Sequence, residues 1–163
     1  MLLKLHREID ARTREIASSH GSWPCREGCD HCCRNLAEPP RLTRAEWELV
    51  EEGLAKLPLE LQGEIRQRAA TAGRTCPFLD GKARSCLIYE NRPVACRTYG
   101  FYVERDKGLY CREIERRVEA GEMANVVWGN ITSVEAQLDA LSERIPLTDW
   151  FRYGLAHQFP RPD

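Results

Sequence analysis

Residues 25–33 read Cys-Arg-Glu-Gly-Cys-Asp-His-Cys-Cys, which places four thiols within nine positions. The spacing is Cys25-x3-Cys29-x2-Cys32-Cys33. Thiolate is the ligand that zinc and iron–sulfur clusters prefer, and short spacings let several sulfur atoms reach one metal with little loss of chain entropy. In a helical conformation, Cys25, Cys29 and either Cys32 or Cys33 would share one face. The stretch therefore predicts a metal site.

Four more cysteines follow at wider spacings, at Cys76, Cys86, Cys96 and Cys111. Eight thiols would fill two all-cysteine zinc sites or ligate two four-cysteine clusters, whereas one cluster would leave about four thiols unassigned. Because neighbouring side chains usually point in different directions, the adjacent cysteines of the first run need not bind the same ion. The sequence leaves open both the number of centres and the choice between zinc and iron.

Two other interpretations of the cysteines remain. An even number of cysteines also fits a disulfide framework. However, His6, Arg7, Glu8 and Asp10 interrupt the apolar stretch near the N-terminus before a secretory core of about seven residues can form. We therefore expect a cytoplasmic location, where a reducing environment preserves thiolates. The second alternative is that Cys111 is simply a small buried apolar residue.

Further motifs accompany the cysteines. The run CPFL occupies residues 76–79, and the run CLIYENRPVACR occupies residues 86–97. With the first four cysteines, these runs resemble the CxxCxxCC, or YkgJ, group of zinc- or iron-chelating proteins, which is related to a domain of flagellin lysine N-methylases. The resemblance covers roughly residues 25–100 and departs from the group's name in the three-residue gap after Cys25. It implies the metal ligands Cys25, Cys29, Cys32, Cys33, Cys76, Cys86 and Cys96, and extends less directly to Cys111.

Two arginines of the last run are candidates for supporting a bound metal cofactor. Pro93 fixes a turn and could open a short helix that carries Cys96 and Arg97. Arg92 and Arg97 would then lie near thiolate, where they could donate to cysteine sulfur or to backbone carbonyls around the metal. The alternative is an ordinary salt bridge, for example with Glu90.

Helical periodicity recurs on both sides of the cysteine-rich segment. It predicts an N-terminal helix over residues 2–18, a helix that a capping box of Thr43 and Glu46 begins, and another helix after Pro58. A C-terminal helical part over residues 112–155 follows the last cysteine.

Within that C-terminal part, Thr132 and Glu135 form a second capping-box pattern, ahead of an apolar stripe that extends to Ile145. Residues 76–111 instead contain many glycines and prolines, and predict turns with a small β-hairpin around 106–108. The sequence therefore predicts a mainly α fold. We expect one compact domain over residues 1–163, with a cysteine-rich irregular core at about 25–111 that metal pins between helices.

Charge and hydropathy narrow the function classes. No apolar run approaches the roughly 18 residues of a transmembrane helix, so no membrane association is expected. The net charge is −1, but between residues 74 and 117 ten basic residues face six acidic ones. This excess is compatible with a nucleic-acid surface, but we favour arginines that compensate thiolates around a metal.

No phosphate-binding glycine loop, Ser-His-Asp arrangement or histidine–glutamate metalloprotease signature is present. A zinc ion with four thiolate ligands has no open position for water, so hydrolysis lacks a candidate site. The sequence predicts a metal-binding protein with a structural or metal-handling role, rather than an enzyme. One alternative is an iron–sulfur component of a redox or methylation reaction. Another is a zinc-stabilised module that binds nucleic acid or an unknown protein partner.

Overall fold

The computed structural model of the chain describes residues 1–71, 73–105 and 107–154. Helices dominate this part of the chain, and the strands are two or three residues long, which confirms the predicted mainly α class. The helices are α1 (Leu2–Ser19), α2 (His31–Arg34), α3 (Arg44–Ala55), α4 (Leu59–Ala70), α5 (Val94–Thr98), α6 (Arg112–Glu119), α7 (Ile131–Asp139) and α8 (Leu147–Tyr153). A 3-10 turn at Tyr89–Asn91 precedes α5.

Within residues 1–71, 73–105 and 107–154, the strands form three small sheets. They are β1 (Arg41–Leu42), β2 (Leu79–Asp80), β3 (Ser85–Cys86), β4 (Tyr102–Glu104), β5 (Lys107–Gly108), β6 (Gly129–Asn130) and β7 (Ile145–Pro146). β1 pairs with β7 and β2 pairs with β3, both antiparallel. β4 lies between β5, to which it is antiparallel, and β6, to which it is parallel. Such short ribbons depend on packing against the helices for their stability.

The predicted capping box at the start of α3 is confirmed. The Thr43 hydroxyl accepts from the Glu46 backbone N–H, and the Glu46 carboxylate accepts from the Thr43 backbone N–H at 2.9 Å. The second predicted box is wrong, because α7 is capped by Asn130, whose side chain accepts from the Thr132 backbone N–H. Thr132 thus lies inside the helix. The predicted helical stripe also extends too far, since Ile145 lies in β7.

The predicted hairpin is present, with a shifted second strand. We expected residues 106–108 to form the turn, but Lys107 pairs with Glu104 and Gly108 pairs with Val103. Arg105, directly after β4, has a positive φ of 50°. The third strand of this sheet, β6, was not predicted, because two residues are too few to show an alternating pattern.

In the part of the chain that the structure describes, buried side chains form three hydrophobic clusters. The first core joins α3, α4 and α8, where Trp47 and Trp150 stack with ring centroids 5.8 Å apart. The second core joins α1, α5, β4 and α7. The third core surrounds Trp23 and includes Ile16 of α1 and Ile114 of α6. Trp150 of α8 is fully buried in the first core.

The apolar stripe predicted after Pro58 includes Ala72, which, like Asp106 and residues 155–163, lies outside the described residues. Within the described ranges, no helix combines the length and apolarity that crossing a membrane requires.

Candidate metal centre

The first cysteine run is mostly a turn. Cys29 donates its backbone N–H to the Arg26 carbonyl at 3.0 Å, and Gly28 has a φ of +83°, a conformation that glycine adopts without strain. Helix α2 begins only at His31. The single helical face considered for these cysteines is therefore not formed, because the left-handed residue at Gly28 interrupts any helix that could join Cys25 to Cys32.

A cleft of about 630 Å³ brings most of the predicted ligands together. We call it the thiol cleft. Seven of the eight cysteines border it, namely Cys25, Cys29, Cys32, Cys33, Cys76, Cys86 and Cys96. Cys111 packs instead beside Cys25 on the third core. All eight cysteines are partly buried free thiols, so the disulfide framework considered above is not formed.

Backbone contacts join the distant segments that carry these thiols. The Cys76 N–H donates to the Cys33 carbonyl at 2.7 Å, and β2–β3 pairing places Leu79 opposite Cys86. The Sγ atoms of Cys32 and Cys33 are 4.0 Å apart. In the described residues, no three His, Cys, Asp or Glu side chains are arranged as a closed metal site. The thiols thus surround a shared space without converging on one point.

Burial and mutual repulsion disfavour the charged form of these thiols. Burial, reinforced by neighbouring Cys32, Cys29 and Cys111, raises the pKa of Cys25 to about 12. The contact with Cys33, followed by burial, raises the pKa of Cys32 above its usual range. Several thiolates in this cleft therefore require added positive charge to coexist.

Burial and neighbouring thiols also raise the pKa values of the thiols nearer the first core. At Cys33, the contact with Cys32 lowers the pKa, but the contact with Cys76 and burial raise it, and the net pKa is about 12. Burial is the main cause of the raised pKa values of Cys86 and Cys96.

Arg92 supplies positive charge within the thiol cleft. Its Nε donates to the Tyr89 carbonyl at 2.7 Å, and its guanidinium carbon lies 3.3 Å from the centroid of the Tyr89 ring. The positive charge of Arg92 lowers the pKa values of Cys25, Cys86 and Cys96, against the larger opposing effect of burial. Tyr89 also borders the cleft and supports this arginine with its ring.

Arg97 is occupied by other partners. Its side chain is 7% exposed, and one guanidinium nitrogen, Nη1, donates to both carboxylate oxygens of Asp10 on α1, at 2.8 and 2.9 Å. The other nitrogens donate to the backbone carbonyls of Arg92 and Glu90. The residue thus fixes the loop before α5 to α1. From sequence, Arg97 was expected either to donate to groups around the metal or to form a salt bridge, for example with Glu90. It donates to backbone carbonyls around the site, and its ion pair is with Asp10. Glu90 contributes only its carbonyl.

Asp30 is a site residue that the sequence analysis did not identify. Its carboxylate, which is 2% exposed, accepts from Arg84 at 3.0 and 3.3 Å and from Arg34 at 2.5 Å. The bond from Arg84, helped by Arg34 and opposed by burial, lowers the Asp30 pKa to about 2. Arg84 lies in the β2–β3 turn at a positive φ of 55°. The ion pair between Asp30 and Arg84 joins the first cysteine run to the hairpin that carries Cys86. The only sequence signal for this role of Asp30 was its negative charge directly after Cys29.

A family model, CxxCxxCC, described as a "putative zinc- or iron-chelating domain", matches residues 24–125. The chain belongs to this family. The CxxCxxCC match spans all eight cysteines and more than half of the chain, which confirms the resemblance found in the sequence. Comparisons with curated proteins and with solved structures found no significant match.

The donor set suits the metals that the CxxCxxCC family description names. Thiolates bind zinc and iron–sulfur clusters in preference to magnesium or calcium, which take oxygen ligands. Membership of the family therefore supports metal binding by this chain, with residues 24–125 as the chelating domain.

Proposed function

We propose that the protein binds zinc or iron through the thiolates of its eight cysteines, in a structural or metal-handling role. The observation that carries this proposal is the gathering of seven cysteines around one cleft from four separate stretches of chain. Nothing in apolar packing alone brings so many sulfur atoms together, since cysteine packs equally well when dispersed.

Electrostatics supports the same conclusion. Thiols with raised pKa values remain protonated near neutral pH, and a second thiolate beside the first is disfavoured further. A metal cation removes this penalty, because it binds the deprotonated sulfur and releases the proton. Metal uptake should therefore release protons and weaken as the pH falls.

Arg92 and Arg97 have different roles in this proposal. The positive charge of Arg92 lowers the pKa values of Cys25, Cys86 and Cys96. The same charge would offset the net negative charge of a thiolate-bound metal. Arg97 would act through the backbone by holding the loop that leads into α5, which carries Cys96.

An iron–sulfur cluster is the second candidate. The volume of the thiol cleft, about 630 Å³, exceeds the space that one zinc ion occupies, which favours a larger group or more than one ion. Zinc is colourless because its d shell is filled, whereas an iron–sulfur cluster gives a brown protein with absorbance near roughly 400 nm. Colour after purification without oxygen distinguishes the two forms.

The basic central segment gives less support to nucleic-acid binding than its sequence suggested. Arg84 pairs with Asp30 and Arg97 with Asp10, while Arg116 and Arg117 both pair with Glu113. These ion pairs reduce the local excess of positive charge. A search for binding that weakens with salt would test this role directly.

Replacement of single cysteines tests the proposed ligands. Cys96→Ser and Cys29→Ser should each lower both the bound metal and the thermal stability, because a serine oxygen is a poor substitute for a thiolate ligand. Ala95→Ser introduces the same side chain at the exposed neighbouring position of α5, and should change neither. If both cysteine variants retain the full metal content, Cys29 and Cys96 are not ligands.

A further inference from the structure

The first cysteine of the metal-binding run lies against a segment far along the chain. This segment, residues 99–101, connects α5 to β4, and we call it the Cys25 seat. The Cys25 thiol donates to the Tyr99 carbonyl at 3.5 Å. A Cβ atom added to Gly100 would lie 3.0 Å from both the Cβ atom and the sulfur of Cys25. The sulfur therefore rests on bare backbone.

Hydrogen bonds hold the backbone of the seat in place. Gly100 is buried and has a φ of +86°, a conformation that residues with a Cβ atom rarely adopt. Its N–H donates to the Leu109 carbonyl at 2.7 Å. The Phe101 N–H donates to the Thr98 carbonyl at 3.0 Å, and the Phe101 carbonyl accepts from the Gly129 N–H at 3.0 Å. The backbone at Gly100 could not rotate to accommodate a side chain without disturbing these bonds.

The space at Gly100 is also closed on its other side. The added Cβ atom would lie 3.3 Å from Cδ1 of Ile114, which is 1% exposed in the third core. Ile114 cannot move without repacking that core, which is unfavourable. Cys25 lies outside any helix or strand, so a side chain at position 100 would displace Cys25.

The first cysteine run does not position Cys25 by itself. Its turn is closed by the hydrogen bond from the Cys29 N–H to the Arg26 carbonyl, which spans residues 26–29 and leaves Cys25 outside. The three-residue gap after Cys25, where the family name implies two, contains this turn. The contact with the seat therefore determines where the Cys25 sulfur lies.

We propose that Gly100 is a positioning residue of the metal centre, because its lack of a side chain lets the Cys25 sulfur occupy the wall of the thiol cleft. This inference rests on the proposed function and deepens it, since it names the residue that makes Cys25 available as a ligand. Metal binding removes the proton that Cys25 shares with the Tyr99 carbonyl. The hydrogen bond thus holds the thiol before metal enters, and the room at Gly100 remains afterwards.

Gly100→Ala tests the seat, and Gly121→Ala is its matched control. Gly121 has a φ of +75°, but a Cβ atom there would meet nothing within 4 Å, so the control carries similar backbone strain without the contact. Both full chains are purified without oxygen and loaded with metal. Mass spectrometry then measures the rate at which iodoacetamide labels Cys25, and competition with a metal indicator measures affinity.

In Gly100→Ala, Cys25 should be labelled several-fold faster than in the wild type, because the displaced sulfur is no longer protected. Metal affinity should fall by about tenfold, in the range typical of residues that orient a metal ligand. Gly121→Ala should match the wild type in both measurements.

A double-mutant cycle with Cys25→Gly separates positioning from a general structural effect. If Gly100 acts through Cys25, adding Gly100→Ala to Cys25→Gly should not weaken metal affinity further, since no sulfur remains to be displaced. An equal loss in both backgrounds would overturn the inference. If Gly100→Ala alone does not fold, recovery of folding in the double variant supports the contact. Failure of the double variant, while Cys25→Gly folds, contradicts it.

The outcomes distinguish this inference from the proposed function. Wild-type protein that binds neither zinc nor iron would defeat both. A metal-binding wild type whose Gly100→Ala variant keeps full affinity, with or without faster labelling of Cys25, would overturn the role of Gly100 alone.

Discussion

Asp30 shows how a single residue can organise the site without being a ligand. It is almost completely buried, yet it binds one arginine from its own segment and one from the β2–β3 turn. A buried carboxylate requires such partners, since an unpaired charge would be strongly unfavourable. The ion pair with Arg84 therefore makes burial of Asp30 conditional on docking of the hairpin that carries Cys86.

Arg84 and Arg34, the two partners of Asp30, permit a matched test. Arg84→Ala removes the link between segments, and should weaken metal affinity by about tenfold, in the range typical of outer contacts to a metal site. Arg34→Ala removes a contact within one segment and should have a smaller effect, although it also leaves Asp30 with one partner. Competition with a metal indicator measures both affinities. An equal loss in the two variants would contradict the role assigned to the hairpin link.

His6 should make stability depend on pH. Burial, and next the charge of Arg97, lowers its pKa from 6.5 to about 4. Between these pH values the unfolded chain binds a proton that the folded chain does not, so stability falls as the pH decreases through this window. The loss is on the order of 3 kcal/mol across the window.

His6→Phe should remove this part of the pH dependence, as chemical unfolding at several pH values would measure. His31→Gln is the control, because His31 is exposed. Both variants keep all eight cysteines and hence share any loss of metal at low pH. If the free energy of unfolding of the His6 variant depends on pH between 4 and 6.5 as steeply as that of the wild type, the buried histidine is not the cause of this dependence.

At the scale of elements, Glu46 couples a predicted helix to the metal-binding segment. Its carboxylate accepts from the backbone N–H and hydroxyl of Thr43 at the start of α3, each at 2.9 Å. The other oxygen accepts from the Val94 N–H at the start of α5, also at 2.9 Å. The capping box was readable from sequence, but the bond to α5 was not, because it depends on a residue 48 positions away.

Removal of this carboxylate should affect both elements. Glu46→Ala leaves buried N–H groups of Thr43 and Val94 without their acceptor, and should lower the free energy of unfolding by roughly 2–4 kcal/mol. Glu48→Ala on the same helix breaks only an exposed ion pair with Arg44. This change should alter the free energy of unfolding by roughly 0.5 kcal/mol or less. Denaturant unfolding measures both values. Similar losses in the two variants would contradict the coupling of α3 to α5.

Local signals also explain which elements were predictable. Apolar periodicity fixed α1, and Pro93 correctly marked the start of α5. One error arose where two side chains competed for one role, as Asn130 did with Thr132 at the cap of α7. Strand β6 is formed by its partner β4 rather than by its own pattern, so no local signal could reveal it.

At the scale of the whole molecule, the sequence contained the site but not its arrangement. The spacing of Cys25 through Cys33 and the later runs predicted the family, which the match over residues 24–125 confirms. The division of the thiols between two hydrophobic cores required the tertiary structure, because Cys76 and Cys111 differ in their packing rather than in their local sequence. The single domain over residues 1–163 and the cytoplasmic location remain predictions.

The thiol cleft also accounts for the small, separate cores of this fold. Residues of the first core, including Phe78 and Ile88, border the same cleft as Phe101, which packs on the second and third cores. A metal bound by cysteines from all sides of the cleft would join these cores, and metal binding would then contribute directly to folding free energy.

Elemental analysis of the untagged full chain, purified without oxygen, tests this account most directly. We expect zinc or iron in amounts that match the protein, because the buried thiols require a metal to coexist as thiolates. Protein that is folded, with all eight cysteines reduced, and that contains neither metal above trace level would contradict metal binding as the purpose of the cysteine cluster.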